Sequence, residues 1–181
     1  MNAAVIVVDI VNDFVSGVFG SKRAKQVSVD IGEFLQALGD RAVKVFTLDT
    51  HIPNDPEFKV WGEHCLIDTW GSQQTENIAK IEGYRIRKRH FDAFHHTDLD
   101  GFLRALSIDK LYIFGISTDI CVLHTAAGAF FRYYDTTIIS DLCAAISPER
   151  HLEALSFMER NYGFRNINSK EALEEINNAG K

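Results

Sequence analysis

Long apolar runs are missing from this chain. The longest, such as Ala3 to Val8, fall far short of the roughly 20 residues that a membrane-spanning helix requires. No charged and then apolar leader precedes Ala3, so no signal peptide is read. Positive charge is scarce as well: 19 Lys and Arg stand against 25 Asp and Glu, a formal charge of −6. A chain of that sign has no overall attraction for phosphate backbones or anionic lipid, which argues against nucleic acid and membrane partners. Cysteines are few and odd in number: Cys65, Cys121 and Cys143, with no Cys-x-x-Cys pair. That excludes a disulfide scaffold and a dithiol redox couple, and a reduced, cytoplasmic protein is expected. Linkers, internal repeats and low-complexity stretches are also wanting. Hydrophobic residues at 46% and charged residues at 24% are ordinary globular usage, which leaves no room for disorder, collagen or coiled coil. The 181 residues fill one domain, taken here as 1–181.

What is present is an alternation of short apolar runs with amphipathic stretches. Runs at Ala3 to Val8, Val43 to Leu48, Tyr84 to Arg87, Leu111 to Gly115 and Thr136 to Ser140 read as strands, with a weaker sixth at Gly163 to Ile167. Val27, Ile31, Phe34, Leu35 and Leu38 form one helical stripe. Thr97 can cap a second helix bearing Leu99, Phe102, Leu103 and Leu106. Ser147, Pro148 and Glu149 make a helix start ahead of Leu152, Leu155 and Met158, and Ser169 opens a last helix through Leu173 and Ile176. Repeated strand–helix units predict an α/β fold: three αβα layers around a doubly wound, mostly parallel sheet of about six strands. Ligands of such sheets sit beyond the carboxyl ends of the strands. Asp9, Asp49, Lys88 and the stretch from Ile116 to Cys121 all follow predicted strand ends. Thr50 to Gln74 is the one long irregular region, a length that often carries function.

Two constellations could carry chemistry. In Gly115 to Cys121, a strand runs into a helix that begins near Thr118, whose side chain can cap it. Cys121 then falls in the first turn, where free N–H groups favour a thiolate and can hold an oxyanion. Position alone fits a small buried hydrophobe equally well. Asp9 could serve as base or merely hydrogen-bond its turn; Lys88 could support charge or simply be solvated beside Arg85, Arg87 and Arg89. The second constellation is Asp49, His51, Glu57 and His64. Two imidazoles with one or two carboxylates suit a divalent transition metal such as zinc, manganese or iron, although a loop histidine is more often just solvated. Phe14 and Trp61 can wall a flat ring or belong to the core. His90, His95, His96, His124 and His151 have no comparable spacing and read as structural or exposed, and Cys65 and Cys143 as packing thiols.

Five separated segments carry a resemblance: VVDIVNDFV around Asp9, LDTH at Leu48 to His51, PEFKVWGEHC ending at Cys65, KRHFDAFHHTDLD beginning at Lys88, and GISTDICVLHTA around Cys121. From Ala3 to about Ile167 the chain resembles the isochorismatase-like cysteine hydrolase superfamily, and within it the nicotinamidase/pyrazinamidase branch. The resemblance implies a catalytic triad of Asp9, Lys88 and Cys121, metal ligands Asp49, His51 and His64 with Glu57 as a further one, and substrate-pocket aromatics Phe14 and Trp61. It further implies a cis peptide between Ile116 and Ser117, with the amides of Ser117 and Cys121 holding an oxyanion. The implied cofactor is one divalent metal, zinc ahead of manganese or iron. The implied reaction is hydrolysis of nicotinamide to nicotinate and ammonia through a thioester on Cys121, a step of NAD salvage, by a homo-oligomer as is the family's habit. The segment from Asp49 to His64 is shorter than in many relatives, so pocket shape and metal are less firmly implied than the triad. Rival expectations are a metal-free relative acting on another small amide or a vinyl ether, and a binding protein that keeps the fold without turnover.

Overall fold

A computed structural model describes residues 2–179. The apolar runs become six strands, β1 (Ala3–Val8), β2 (Val43–Asp49), β3 (Tyr84–Lys88), β4 (Lys110–Ile116), β5 (Asp135–Ala144) and β6 (Arg165–Ile167). Every pairing is parallel, in the order β3-β2-β1-β4-β5-β6. A parallel strand at the centre of a sheet is covered on both faces, which is why Ala4 to Val8 carry no polar side chain and are buried throughout. The helices are α1 (Asn12–Val15), α2 (Lys22–Leu38), α3 (Phe58–Trp61), α4 (Glu76–Ala79), α5 (Leu99–Ala105), α6 (Leu123–Phe130), α7 (Pro148–Tyr162) and α8 (Ser169–Ala179). α2 packs on β4, β5, α4 and α8, while α6 and α7 pack on each other and on β5. The result is the expected αβα sandwich around a doubly wound sheet. Among the described residues no helix is long and apolar enough to cross a membrane.

Local differences from the sequence reading have local causes. Ser147 does cap α7, accepting from the Arg150 amide at 3.3 Å, and Thr97 accepts from the first amide of α5 at 3.2 Å. Thr118 does not cap the helix after β4: Ser117 occupies the cap position, and the Thr118 hydroxyl pairs with His151 Nδ1 at 2.9 Å. At α8 the cap is Asn168, whose side chain accepts from the Glu171 amide at 2.9 Å while Glu171 answers the Asn168 amide at 3.0 Å. The Ser169 hydroxyl points instead to Asp141. β5 runs on to Ala144, past the expected end at Ser140, because a register shift lets it bulge and resume pairing at Gly115 and Ile116. Asp141 sits in that bulge and accepts from the Ser169 amide and hydroxyl, each at 2.8 Å.

The chain winds outward from β1 to β2 and β3, then restarts at β4 on the other side of β1. The carboxyl ends of β1 and β4 therefore diverge into two different connections, which opens a crevice between them. Asp9 leaves one lip of that crevice and Ser117 to Cys121 the other. The two strands touch closely here. Gly115 has φ +135 and lies opposite Val8, and a Cβ there would stand 2.1 Å from the Val8 carbonyl oxygen. Only glycine fits. Gly115→Ala is expected to lower unfolding stability by about 2 kcal/mol or more, seen in urea titration as a lower midpoint with an unchanged slope. An unchanged midpoint would show that the backbone absorbs the methyl group.

Candidate active site

Lys88 ends β3 with its side chain fully buried, and its ammonium gathers the first constellation. Nζ lies 2.7 Å from Asp9 Oδ2, 3.2 Å from Asp49 Oδ1, 3.0 Å from the His90 carbonyl and 3.5 Å from Cys121 Sγ. Burial works against its charge, but Asp9, Cys121 and Asp49 outweigh it and hold the lysine pKa above its ordinary value. Asp9 is aimed by its own backbone, left-handed at φ 52, and by Thr47, whose hydroxyl donates to Oδ1 at 2.6 Å. Burial raises the Asp9 carboxyl, and the Asp49 charge adds to the rise against the pull of Lys88. Burial likewise pushes the Cys121 thiol well up, opposed by Lys88. A thiol and a carboxyl that holds its proton readily, set beside a fixed ammonium, can pass one proton between them.

Cys121 sits in a π-helical turn, Thr118–Val122, that leads into α6. The Ile116–Ser117 peptide before it is cis, as the resemblance implied. The Ser117 hydroxyl donates to Asp119 Oδ1 at 2.6 Å, and Asp119 Oδ2 meets Arg150 of α7 at 2.7 Å. His151, one residue on, is tied to Thr118, so α7 braces the turn that presents the thiol.

The second constellation shares Asp49 with the first. Its Oδ2 faces His51 Nε2 at 3.0 Å and His64 Nε2 at 3.5 Å, while Oδ1 serves Lys88. Donor atoms of Asp49, His51 and His64 all lie within 4.8 Å of one another, and all three residues are buried. Glu57 Oε1 stands at the rim, 4.0 Å and 3.9 Å from the two Nε2 atoms. The opposite ring nitrogens have partners behind them: the Gly62 carbonyl accepts from His64 Nδ1 at 2.8 Å, and the Asp55 carboxylate faces His51 Nδ1 at 3.2 Å. Asp55 in turn meets Arg89 at 3.1 Å and accepts from the Glu57 amide. Imidazoles oriented from behind, with the other nitrogen turned to a shared point, are built as metal ligands usually are. Burial works to lower the His51 pKa, but Asp49, Asp55 and Glu57 outweigh it and push it up to about 9. The same concentration of carboxylate favours a divalent cation, so these residues fit one.

The loop bearing these residues is closed at its neck. The His51 amide donates to the Cys65 carbonyl at 2.9 Å and the Ile67 amide to the His51 carbonyl at 2.8 Å. Asp13 of α1 fastens the same neck, accepting from the Cys65 amide at 2.7 Å. Gly71 lies so close to that carboxylate that a Cβ would meet Asp13 Oδ2 at 2.1 Å.

Above Cys121 is a cavity of about 440 Å³, lined by Phe14, Phe19, Trp61, Phe91, Ile116, Ile120 and Ile146 among others, with Asp49, Glu57 and His64 as its charged wall. Among the described residues no lysine or arginine lines it. Of the candidates, Asp49, Glu57, His64, Ser117, Cys121 and both aromatics line this pocket, while Asp9, Lys88 and His51 lie buried behind it, in contact with Asp49 or Lys88. Cys65 and Cys143 are buried away from it. Sequence reasoning missed Thr47, Asp55, Asp119 and Phe19. Of these only Asp55 carried a local signal, four residues after His51 in a Pro-Asn-Asp turn.

The isochorismatase domain model matches residues 3–170. A nicotinamidase/pyrazinamidase of Bacillus subtilis superposes with a TM-score of 0.85 at 30% identity, covering 93% of this chain and 100% of that one. An N-carbamoylsarcosine amidase of Thermoplasma acidophilum gives 0.86 at 32% identity, covering 93% and 97%. The pyrazinamidase of Pyrococcus horikoshii, solved in complex with zinc, gives 0.82 at 26% identity, covering 93% and 99%. A match that opens at β1, closes inside α8 and takes in the whole pocket makes this chain a member of the isochorismatase family of hydrolases, with nicotinamidases and pyrazinamidases among its relatives.

Proposed function

We propose that the protein is a metal-dependent cysteine amidohydrolase that converts nicotinamide, or a closely similar ring carboxamide, to the free acid and ammonia. The observation that carries the reading is the division of Asp49. One oxygen serves the lysine beside the thiol and the other serves two imidazoles, so nucleophile and metal ligands border one aromatic pocket. Similarity to nicotinamidases and to a zinc-bound pyrazinamidase supports it. The three unpaired thiols suit a reducing cytoplasmic setting.

In this mechanism Asp9 takes the Cys121 proton while Lys88 stays charged beside both, and the sulfur attacks the carboxamide carbon. The amides of Ser117 and Cys121 donate to the oxyanion. Asp9 returns the proton to the departing nitrogen, which leaves as ammonia, and a thioester remains. Asp9 then draws a proton from water, whose oxygen attacks the thioester and frees the acid and the thiol. Phe14, Phe19 and Trp61 pack the ring and exclude solvent. Asp49, His51 and His64, with Glu57 at the rim, would hold a divalent metal, zinc first, which would supply Lewis-acid chemistry toward the ring.

The N-carbamoylsarcosine amidase relative favours a second reading, a different small amide. That substrate carries a carboxylate, as does isochorismate, and among the described residues the pocket wall offers acids and no lysine or arginine to pair with it. Ammonia release from nicotinamide is therefore expected to exceed release from N-carbamoylsarcosine, and the reverse order would overturn the nicotinamide reading. Cys121→Ala should cut ammonia release by roughly a thousandfold or more while folding and metal content persist; retained turnover would remove Cys121 from the mechanism. Chelation should abolish turnover and added zinc, manganese or iron restore it, whereas full activity without metal leaves the Asp49 cluster without this role. Asp55→Asn should weaken metal affinity about 10–100-fold, read by competition with a chromogenic chelator. Unchanged affinity would show that His51 needs no partner behind it.

A further inference from the structure

A second group of imidazoles lies on the turn between β3 and α5. His90, His95 and His96 lack the spacing of a ligand set, yet the fold brings a ring nitrogen from each within 4.8 Å of the others. Ring centroids stand 4.6 Å apart for His90 and His95 and 5.7 Å for His90 and His96. Adjacent residues of an extended chain point to opposite faces. Here His96 is left-handed at φ 55, and its ring stacks on that of His95 at 4.0 Å. The backbone beneath is fixed. The His90 carbonyl accepts from the Lys88 ammonium at 3.0 Å, the Ala93 amide donates to Thr125 Oγ1 at 3.1 Å, and the His95 amide donates to the Asp92 carbonyl at 3.1 Å. His90 is half-buried on this base, while His95 and His96 face solvent.

We propose that His90, His95 and His96 form a second transition-metal site, with three imidazole nitrogens as ligands and the remaining coordination positions open to water. An all-nitrogen set selects zinc, copper, nickel or cobalt over magnesium or calcium, which require oxygen. The lone pairs of three neutral imidazoles this close can share one cation. A tetrahedral ion with bonds near 2.05 Å needs nitrogens about 3.3 Å apart. The exposed His95 and His96 rings can turn to reach that spacing at a cost in side-chain freedom. The ion is consequently held more weakly than one at the buried, carboxylate-bearing Asp49 set. The site uses none of the residues of the proposed catalytic centre.

The test is zinc titration of chelator-stripped, tag-free protein, with bound metal counted by equilibrium dialysis. The wild type should take two equivalents per chain, one tight and one weaker. His95→Ala/His96→Ala replaces two exposed side chains, so its fold should persist by circular dichroism, and it should lose the weaker equivalent alone. His51→Ala should lose the tight one alone. A double variant that binds as much zinc as the wild type, with equal affinity, overturns the proposal. So does a wild type that binds a single equivalent that only His51→Ala removes. A single equivalent removed only by the double variant would support this site and count against the Asp49 centre, so the two readings fail separately.

Discussion

One buried ammonium organises this molecule. Placing a lysine charge out of water costs several kcal/mol unless it is paired and hydrogen-bonded, and Lys88 finds its partners on three other segments. Asp9 comes from the end of β1, Asp49 from β2 and Cys121 from the turn after β4. The charge thus ties together the carboxyl ends of neighbouring parallel strands, where a doubly wound sheet would otherwise splay. Polar residues at the ends of apolar strands are tolerable here only because they satisfy one another. The site is as much a condition of the fold as a product of it.

That arrangement also sets where a proton can rest. Burial disfavours charge on both Asp9 and Cys121, while Asp49, facing Lys88 and two imidazoles, stays ionised against its own burial. Two carboxylates close to one lysine are therefore driven apart in character, one as a proton carrier and one as a permanent anion. On the proposed mechanism this is the division of labour that is needed: Asp9 moves protons, and Asp49 never does.

Much of this was legible in the sequence because parallel strands write a plain signal. An apolar run that stops at an acid places that residue on the functional edge, as at Asp9 and Asp49; Lys88 ends the alternating Tyr84–Arg87 strand and reaches the same edge by its strand-end position. Residues whose task depends on register were hidden. Thr47 looks like strand filler, and only the parallel pairing of β1 with β2 carries its hydroxyl to Asp9. Thr118 is a plausible cap that a tertiary partner, His151, claims instead. The apolar run of β5 stops at Ser140, and nothing local announces that α8 satisfies Asp141 within a bulge so that the strand can resume. The histidines after Lys88 show no ligand spacing, since a left-handed residue rather than a regular helix or strand brings them together.

The closed neck of the loop after β2 has a consequence for how such a protein can diversify. Its two ends are fastened to each other through His51, Cys65 and Ile67, and that neck is fastened to α1 through Asp13, which accepts from the Cys65 amide. Between these fixed points the exposed turns at Ile52 to Asn54 and Gly62 to Glu63 close a separate excursion. Lengthening such an excursion is thermodynamically cheap, since each doubling of a flexible loop costs only about 0.6 kcal/mol. Residues can therefore be added or lost there without loosening the sheet, the lysine or the thiol. The wall carrying Trp61 and Glu57 can change its reach by insertion and deletion, while the reacting atoms keep their places.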